Sequence, residues 1–204
     1  MDLDSKLNTI KLKVSALRLK DTLLQSFGAS AHQYEFNPTC SEHGLCTFEN
    51  RFAIQLPIEY RRFLKEIGNG GVSPSYGLEP LENALFQDLD YCDENYLIDP
   101  SKEFMMTNAW NMEVGDCEDE EYDIKENEYF DPKWANGLLR IANLGCGISV
   151  NIVVKGLEYG NMWIDDRVNR NGIYPYKNAE RDSRVGFLEW YDYWLADACS
   201  EPEY

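Results

Sequence analysis

The sequence predicts an α+β fold, because helical patterns come first, strand-like patterns follow, and a last helix closes the chain. In the first third of the chain, apolar residues recur every three to four positions, which is typical of amphipathic helices. Beyond Pro132, runs of Ile, Val and Trp punctuated by Gly favour antiparallel strands joined by short turns. The length of 204 residues suits one domain, or one domain with a modest extension.

The N-terminal segment predicts an amphipathic helix over 3–27 that packs on the domain or on a partner. It is also the only basic stretch of the chain, with Lys6, Lys11, Lys13, Arg18 and Lys20. A run of Gly, Ala, Ser, Asn and Pro over 28–39 is typical of a connector. We therefore expect residues 1–38 to form a helix and connector, and residues 39–204 to form a single globular unit.

Two further helices are predicted before the strands. Ser41 followed by Glu42 is a helix-start signal, which predicts a helix over 41–52. Pro57 suits the first position of a second helix, which extends to Ile67. The Gly-Asn-Gly-Gly sequence at 68–71 then predicts a turn, since glycine adopts positive φ without strain.

The strand region and the last helix follow. Apolar runs at 139–142, 148–154 and 162–165 predict three strands. An aromatic stripe over 186–198 predicts the closing helix, and we expect Trp190 and Trp194 to lie inside.

Negative charge is concentrated in one quarter of the chain. Residues 79–131 hold 18 acidic residues against two lysines, a balance of −16 in a protein of net charge −17. Most charge runs are simply solvated surface. Clustered like charges repel one another and destabilise the compact state, however, so a surface for a basic partner is the functional alternative. The candidate partner-binding residues, with tyrosines as aromatic anchors, are Asp116, Glu118, Asp119, Glu120, Glu121, Tyr122, Asp123, Glu126, Glu128 and Tyr129.

The composition excludes several classes of protein. A pI near 4.4 argues against a nucleic-acid binder, because neutralising phosphates requires clustered Lys and Arg. No apolar run reaches the ~18 residues of a membrane span. The 44% apolar content excludes a disordered polyanion. The first residues lack the basic and apolar regions of a secretory signal, so we expect a cytoplasmic protein.

Cysteine and histidine residues give no convincing metal site or nucleophile. Cys40, His43 and Cys46 lie within seven residues, but a tetrahedral zinc site requires four ligands, so free thiols are the better interpretation. Cys146 stands between two glycines, without a nearby base in the sequence to activate it.

Two further patterns favour structural roles. Residues 68–71 lack the Gly-Lys-Ser/Thr of a phosphate-binding loop. Asp165 and Asp166 point to opposite faces if they lie on a strand, so an Asp–Arg contact with Arg167 at a strand end is favoured over a catalytic pair. We therefore expect no catalytic residue, no metal and no cofactor.

An ordered set of short motifs from about residue 41 to 197 resembles the SUKH superfamily, which is partly named after the yeast cell-wall-synthesis regulators Smi and Knr. The motifs are Phe48-Glu49, Leu56-Pro57-x-x-Tyr60, Gly68-Asn69-Gly70-Gly71, Tyr76-Gly77-Leu78, Gly145-Cys146-Gly147, Val153-Val154-x-Gly156, Gly160-x-x-Trp163-x-Asp165-x-Arg167 and Phe187-x-x-Trp190-Tyr191-x-x-Trp194-Leu195.

This resemblance implies a curved, multistranded antiparallel sheet flanked by helices. It also implies a non-enzymatic immunity protein, an antitoxin of bacterial contact-dependent or polymorphic toxin systems, whose partner is often a nuclease. The alternative is a regulatory scaffold of the cell-wall-regulator type, and a hydrolase using Asp165 or Asp166 is a third hypothesis. The extension over residues 1–38 and the acidic stretch between Gly115 and Asp131 fall outside the motifs, where partner specificity could reside. The oligomeric state stays open.

Overall fold

The structure, a computed structural model, describes residues 2–86, 97–113, 122–178 and 182–200. Its described helices are α1 (Leu3–Lys20), α2 (Ala29–His32), α3 (Glu42–Phe52), α4 (Ile58–Glu66), α5 (Tyr122–Phe130) and α6 (Phe187–Ser200). Within these ranges, none of the helices combines the length and apolar character needed to cross a bilayer.

In the part of the chain that the structure describes, four strands form one antiparallel sheet in the order β1-β2-β3-β4, which confirms the α+β prediction. They are β1 (Leu138–Gly145), β2 (Ile148–Val153), β3 (Met162–Asp166) and β4 (Gly172–Pro175), and a separate two-stranded ribbon pairs β5 (Lys177–Asn178) with β6 (Ser183–Arg184). Two register shifts interrupt the pairing of β1 with β2, and such bulges bend a strand.

Both faces of the sheet are covered. On one face, Ile152 and Ile164 belong to the larger core, which also holds Phe63 of α4 and Tyr191 of α6. On the other face, Trp163 packs edge-on against Phe104 in a smaller core. Because side chains alternate along β2 and β3, these two strands contribute apolar side chains to both cores.

Helix α1 packs on the protein's own domain. Its inward side chains Leu7, Ile10, Val14 and Leu17 are at most 3% exposed and belong to the larger core. Helix α1 lies beside α6, with an ion pair from Lys13 to Asp192 of 3.9 Å. The N-terminal helix is therefore part of the folded unit rather than a free arm.

Helix boundaries differ from the sequence prediction at two places. Helix α1 ends at Lys20 instead of residue 27, because Asp21 caps the next turn by accepting the N–H groups of Gln25 and Ser26. Pro57 is the N-cap of α4 rather than its first residue. The Ser41 cap is confirmed, since its hydroxyl oxygen lies 3.0 Å from the nitrogen of Gly44.

The last helix confirms one aromatic prediction and corrects another. Trp190 is buried, as expected, whereas Trp194 is half-buried. Trp194 meets the imidazole of His32 edge-on at the margin of the core, with ring centroids 6.4 Å apart. The aromatic pattern of α6 alone does not show how far a neighbouring helix covers each side chain, and α2 covers Trp194 only in part.

Candidate functional site

The candidate acidic surface includes α5, a helix that the sequence analysis did not predict. Tyr122, Asp123, Glu126, Glu128 and Tyr129 lie on this helix. The candidates that lie outside the described residues are Asp116, Glu118, Asp119, Glu120 and Glu121.

Arg170 binds the half-buried side of α5. It follows the 3₁₀ turn Arg167–Asn169 and adopts positive φ of 61°. One guanidinium nitrogen lies 2.6 Å from the Glu126 carboxylate and 2.9 Å from the Tyr122 hydroxyl oxygen. The hydrogen bond from Tyr122 and the nearby Arg170 cation lower the pKa of Glu126, so this carboxylate is held in its charged form.

Arg167 binds the C-terminal end of the same helix from beneath. Its Nη1 donates to the carbonyl oxygens of Tyr129, at 2.9 Å, and Asp131, at 3.2 Å. These acceptors lie at the last turn of α5 and just beyond it, where helical carbonyls lack intrahelical partners and attract cations. Arg167 is 1% exposed, so the contact is shielded from water.

The two aspartates at the end of β3 have separate structural partners. Asp165 forms a two-point ion pair with Arg167, at 2.9 Å and 2.6 Å. The carboxylate oxygens of Asp166 accept the amide N–H groups of Asn169 and Asn171, both at 2.7 Å. The predicted Asp–Arg contact at a strand end is therefore confirmed.

Tyr129 differs from the expectation of an exposed aromatic anchor. Its side chain is fully buried, and its hydroxyl donates to the Asn111 side-chain oxygen at 2.7 Å. Its ring stacks on Trp110 with centroids 5.7 Å apart. Tyr129 therefore fixes α5 to the domain, and Tyr122, which is half-buried, is the aromatic candidate left on the described surface.

The remaining acids of α5 face solvent. Asp123 and Glu128 are exposed, and Glu128 pairs with Lys133 at 2.6 Å. Beside them the apolar side chain of Ile124 is 71% exposed. Asp123 and Glu128 therefore project into solvent from a helix whose opposite side is anchored by Tyr129, and Lys133 offsets part of the charge of Glu128.

The other candidates have ordinary structural surroundings. In the turn at 68–71, the N–H groups of Gly68, Asn69 and Gly71 donate to protein carbonyls, so they do not converge on an external anion. Cys146 is exposed at the tip of the β1–β2 hairpin.

The cysteine–histidine cluster likewise shows protein contacts. The sulfur of Cys46 contacts Glu42 at 3.5 Å and Arg61 at 3.6 Å, while burial raises the pKa of the Cys40 thiol. Within the described ranges, no group of three or more His, Cys, Asp or Glu residues is arranged to hold a metal ion.

Local sequence patterns did not reveal the contacts of Arg170 with Tyr122 and Glu126 or the backbone contacts of Arg167. A signal was present, since Arg167 directly follows Asp165 and Asp166, and Arg170 lies three residues further on, in a strongly acidic chain. Which acidic segment they bind depends on contacts between residues about 40 positions apart, and local patterns carry no such information.

Comparison with known proteins gives one result, which covers most of the chain. The model of the SMI1 / KNR4 family (SUKH-1) matches residues 39–191. No curated protein and no solved structure matches the chain. The matched region runs from the approach to α3 through β1–β4 into α6, and it includes the motifs on which the resemblance rested as far as Tyr191. The chain belongs to the SMI1 / KNR4 family (SUKH-1).

Proposed function

We propose that the protein is an intracellular immunity protein that binds and neutralises a cognate toxin through its acidic region, residues 116–128. The family supports an immunity-like or regulatory role and is generally non-enzymatic. The observation that carries the proposal is the charge of −16 within residues 79–131, part of which lies on the anchored helix α5.

The chemistry of this region favours a basic toxin, and a nuclease in particular. A nuclease binds phosphates and therefore has a basic substrate groove. Clustered carboxylates steer such a partner into contact, with association rates above ~10⁶ M⁻¹s⁻¹, and can block the groove without touching catalytic residues. Because Arg167 and Arg170 hold α5 in place, less ordering is required when the partner binds.

Genomic neighbourhood supplies the partner for the test. The proposal predicts that a large secreted protein with a variable C-terminal toxin domain is encoded beside this gene, and the test expresses that domain in bacteria with and without the protein. Rescue of growth and a stable purified complex are expected. Replacing Glu118, Asp119, Glu120 and Glu121 by Lys should weaken protection and slow association, while far-UV circular dichroism stays unchanged.

Two double variants distinguish the effect of the acidic segment on association from the effect of the total charge of the protein. Glu120→Lys with Glu121→Lys changes the net charge as much as Glu103→Lys with Asp197→Lys, and both residues of the second pair are exposed outside the acidic segment 116–128. We expect the first pair to slow association much more than the second at low salt. Equal effects of the two pairs would remove the acidic segment from the mechanism.

The second candidate is a regulatory scaffold of the cell-wall-regulator type, which the family description also covers. It predicts that no adjacent toxin domain exists, or that the protein gives no protection against it. Stable complexes with several endogenous proteins would then favour this function.

A further inference from the structure

A short extended segment just before the family match continues the main sheet beyond β1. Antiparallel bridges join Ala142 of β1 to Leu78, Leu78 to Gly71, and Gly71 to Phe36. Among the residues that the structure describes, 35–37 therefore form the outermost strand on this side of the sheet. We call residues 35–37 the edge strand.

The edge strand leaves one pair of main-chain groups open. The N–H of Val72 donates to the Glu35 carbonyl oxygen at 2.8 Å, and the N–H of Asn37 donates to the Gly70 carbonyl oxygen at 3.1 Å. In an antiparallel pair, the residue between two such bonds directs its own N–H and C=O groups to the opposite side. That residue is Phe36, and neither group has a hydrogen-bond partner in the described part of the chain.

A cleft of about 520 Å³ lies against the edge strand. It is lined by residues of α2, by the edge strand and by Gly71, Tyr76 and Leu78. Glu35, Asn37 and the following Pro38 are exposed, so the cleft can be reached from solvent. The open main-chain groups of Phe36 thus lie on a residue that lines an accessible cleft.

The cleft also carries polar side chains that are available to a ligand. The Nδ1 of His32 accepts the N–H of Tyr34, so Nε2 carries the hydrogen of the neutral ring and is a donor. Burial lowers the pKa of His32, which keeps the ring neutral at pH 7. The Nε2–H of His32, the amide of Gln33 and the hydroxyl of Tyr76 make no hydrogen bond to any described residue.

The charge of the lining limits which ligand can bind. Glu35 is the charged side chain among the lining residues, and it already pairs with Arg18 at 2.7 Å. An anion such as a phosphate finds no cation in this lining, and a cationic ligand would have to compete with Arg18. The cleft therefore suits an uncharged ligand rich in amide groups, which is the chemistry of a peptide backbone.

A second copy of the chain fits this edge poorly. An antiparallel pair of two edge strands centred on Phe36 sets Pro38 of one copy opposite Tyr34 of the other. Pro38 has no N–H to donate, so the ladder stops after one residue pair. Two copies that each carry a net charge of −17 also repel one another.

We propose that the edge strand binds an extended, uncharged segment of a partner protein, which adds one strand to the sheet by pairing with the N–H and C=O groups of Phe36. Side chains of the bound segment would lie in the cleft beside His32, Gln33 and Tyr76. The edge strand precedes the segment that the family model matches, so it is a property of this chain rather than of the matched segment. The contact does not depend on the acidic region.

The experiment uses the full-length, isotope-labelled protein and two peptides of about five residues. The probe alternates Thr and Val, which favour an extended backbone, and it is acetylated and amidated so that it carries no charge. The comparison peptide has the same sequence with N-methylated amides, which cannot donate. In an NMR titration the probe should shift the amide signals of Phe36 and Asn37. The N-methylated peptide should bind at least about tenfold more weakly.

Two neighbouring substitutions on α2 locate the binding site. Ala31→Arg adds a long side chain to the lining of the cleft and removes no hydrogen-bonding group. Ser30→Arg makes the same change of charge at the adjacent exposed residue, which does not line the cleft. Ala31→Arg should weaken binding of the probe at least about tenfold, and Ser30→Arg should leave it unchanged. Thermal unfolding should be the same for both variants, because both positions are exposed.

The proposal is overturned if the probe causes no shift at Phe36, if both peptides bind equally, or if Ala31→Arg and Ser30→Arg weaken binding to the same extent. A dimer in sedimentation that Ala31→Arg abolishes would also overturn it, because the edge strand would then pair with a second copy of the chain.

Discussion

Asp165 and Arg167 form a two-point ion pair in which the side chains are 9% and 1% exposed. Arg167 extends the same guanidinium to the carbonyl oxygens of Tyr129 and Asp131. The end of β3 and the end of α5 are therefore held by a single cation. The position of the candidate binding helix consequently depends on the sheet beneath it.

Arg167→Ala is expected to destabilise the protein by about 3–5 kcal/mol, because it leaves a buried carboxylate without its partner. Urea unfolding followed by tryptophan fluorescence measures this loss. The matched control is Lys177→Ala, which removes the exposed ion pair with Asp182 and should have little effect on unfolding, because solvent screens that pair. Similar losses for the two variants would contradict the role given to Arg167.

Arg170→Ala is expected to loosen α5 without unfolding the domain. Its pair with Glu126 is about 40% exposed on each side, so its removal should cost less than about 1 kcal/mol in global stability. Hydrogen exchange of amides over 122–130 should become faster, while exchange in β2 and β3 stays unchanged. Unchanged exchange in α5 would show that Arg170 does not hold the helix.

Stability should fall between pH 7.5 and 5.5 because of His32. Burial lowers the pKa of this imidazole, whose Nδ1 accepts the N–H of Tyr34 at 3.1 Å. The unfolded chain therefore binds the proton more readily, so stability is complete above the unfolded pKa of about 6.5 and is lost as pH falls through the folded value. Denaturant midpoints at the two pH values measure the effect.

His32→Asn should flatten this pH dependence, since the amide oxygen can accept the Tyr34 N–H but does not titrate. His43→Asn, which removes an exposed imidazole, is the control and should leave the pH dependence in place. Carboxylates titrate mainly below this window. A pH dependence that survives in His32→Asn would assign it to another group.

Gly172→Ala should be more destabilising than Gly160→Ala. Both glycines have positive φ, of 78° and 85°, so each substitution carries the backbone strain of about 1–2 kcal/mol. An added Cβ at Gly172 would lie 2.0 Å from the Trp110 carbonyl oxygen, whereas at Gly160 its nearest neighbour is 3.8 Å away. The difference between the melting temperatures of the two variants measures the cost of the clash at Gly172. Equal decreases in melting temperature would contradict the clash.

Local sequence signals predicted much of the scaffold. The Ser41 cap, the glycines at 68–71 and the apolar runs of β1–β3 act within a few residues, so their patterns are visible in the sequence. Helix α5 was not visible, because its nine residues are mostly polar and its stability depends on distant partners such as Arg167 and Arg170. Strand β4 is only four residues long, too short to show a clear alternation.

The burial of Tyr129 illustrates the same limit at the candidate site. A tyrosine within an acidic run has the composition of an interface anchor, yet the Tyr129 ring stacks on Trp110 and its hydroxyl donates to Asn111, so it is buried within the domain. Composition indicates which kind of partner a segment attracts, and tertiary packing decides which side chains the partner can reach.

The packing of α1 against α6 affects where the chain can be truncated and when its core can form during synthesis. The two helices come from opposite ends of the sequence, and Lys20 reaches the carbonyl oxygen of Cys199 across 179 positions. A polypeptide that starts at residue 39, where the family match begins, would leave an apolar trough on α4 and α6 open to water. During synthesis α1 cannot form its contacts with α6 until α6 has left the ribosome, so this part of the core is completed by a contact between the first and the last described helix.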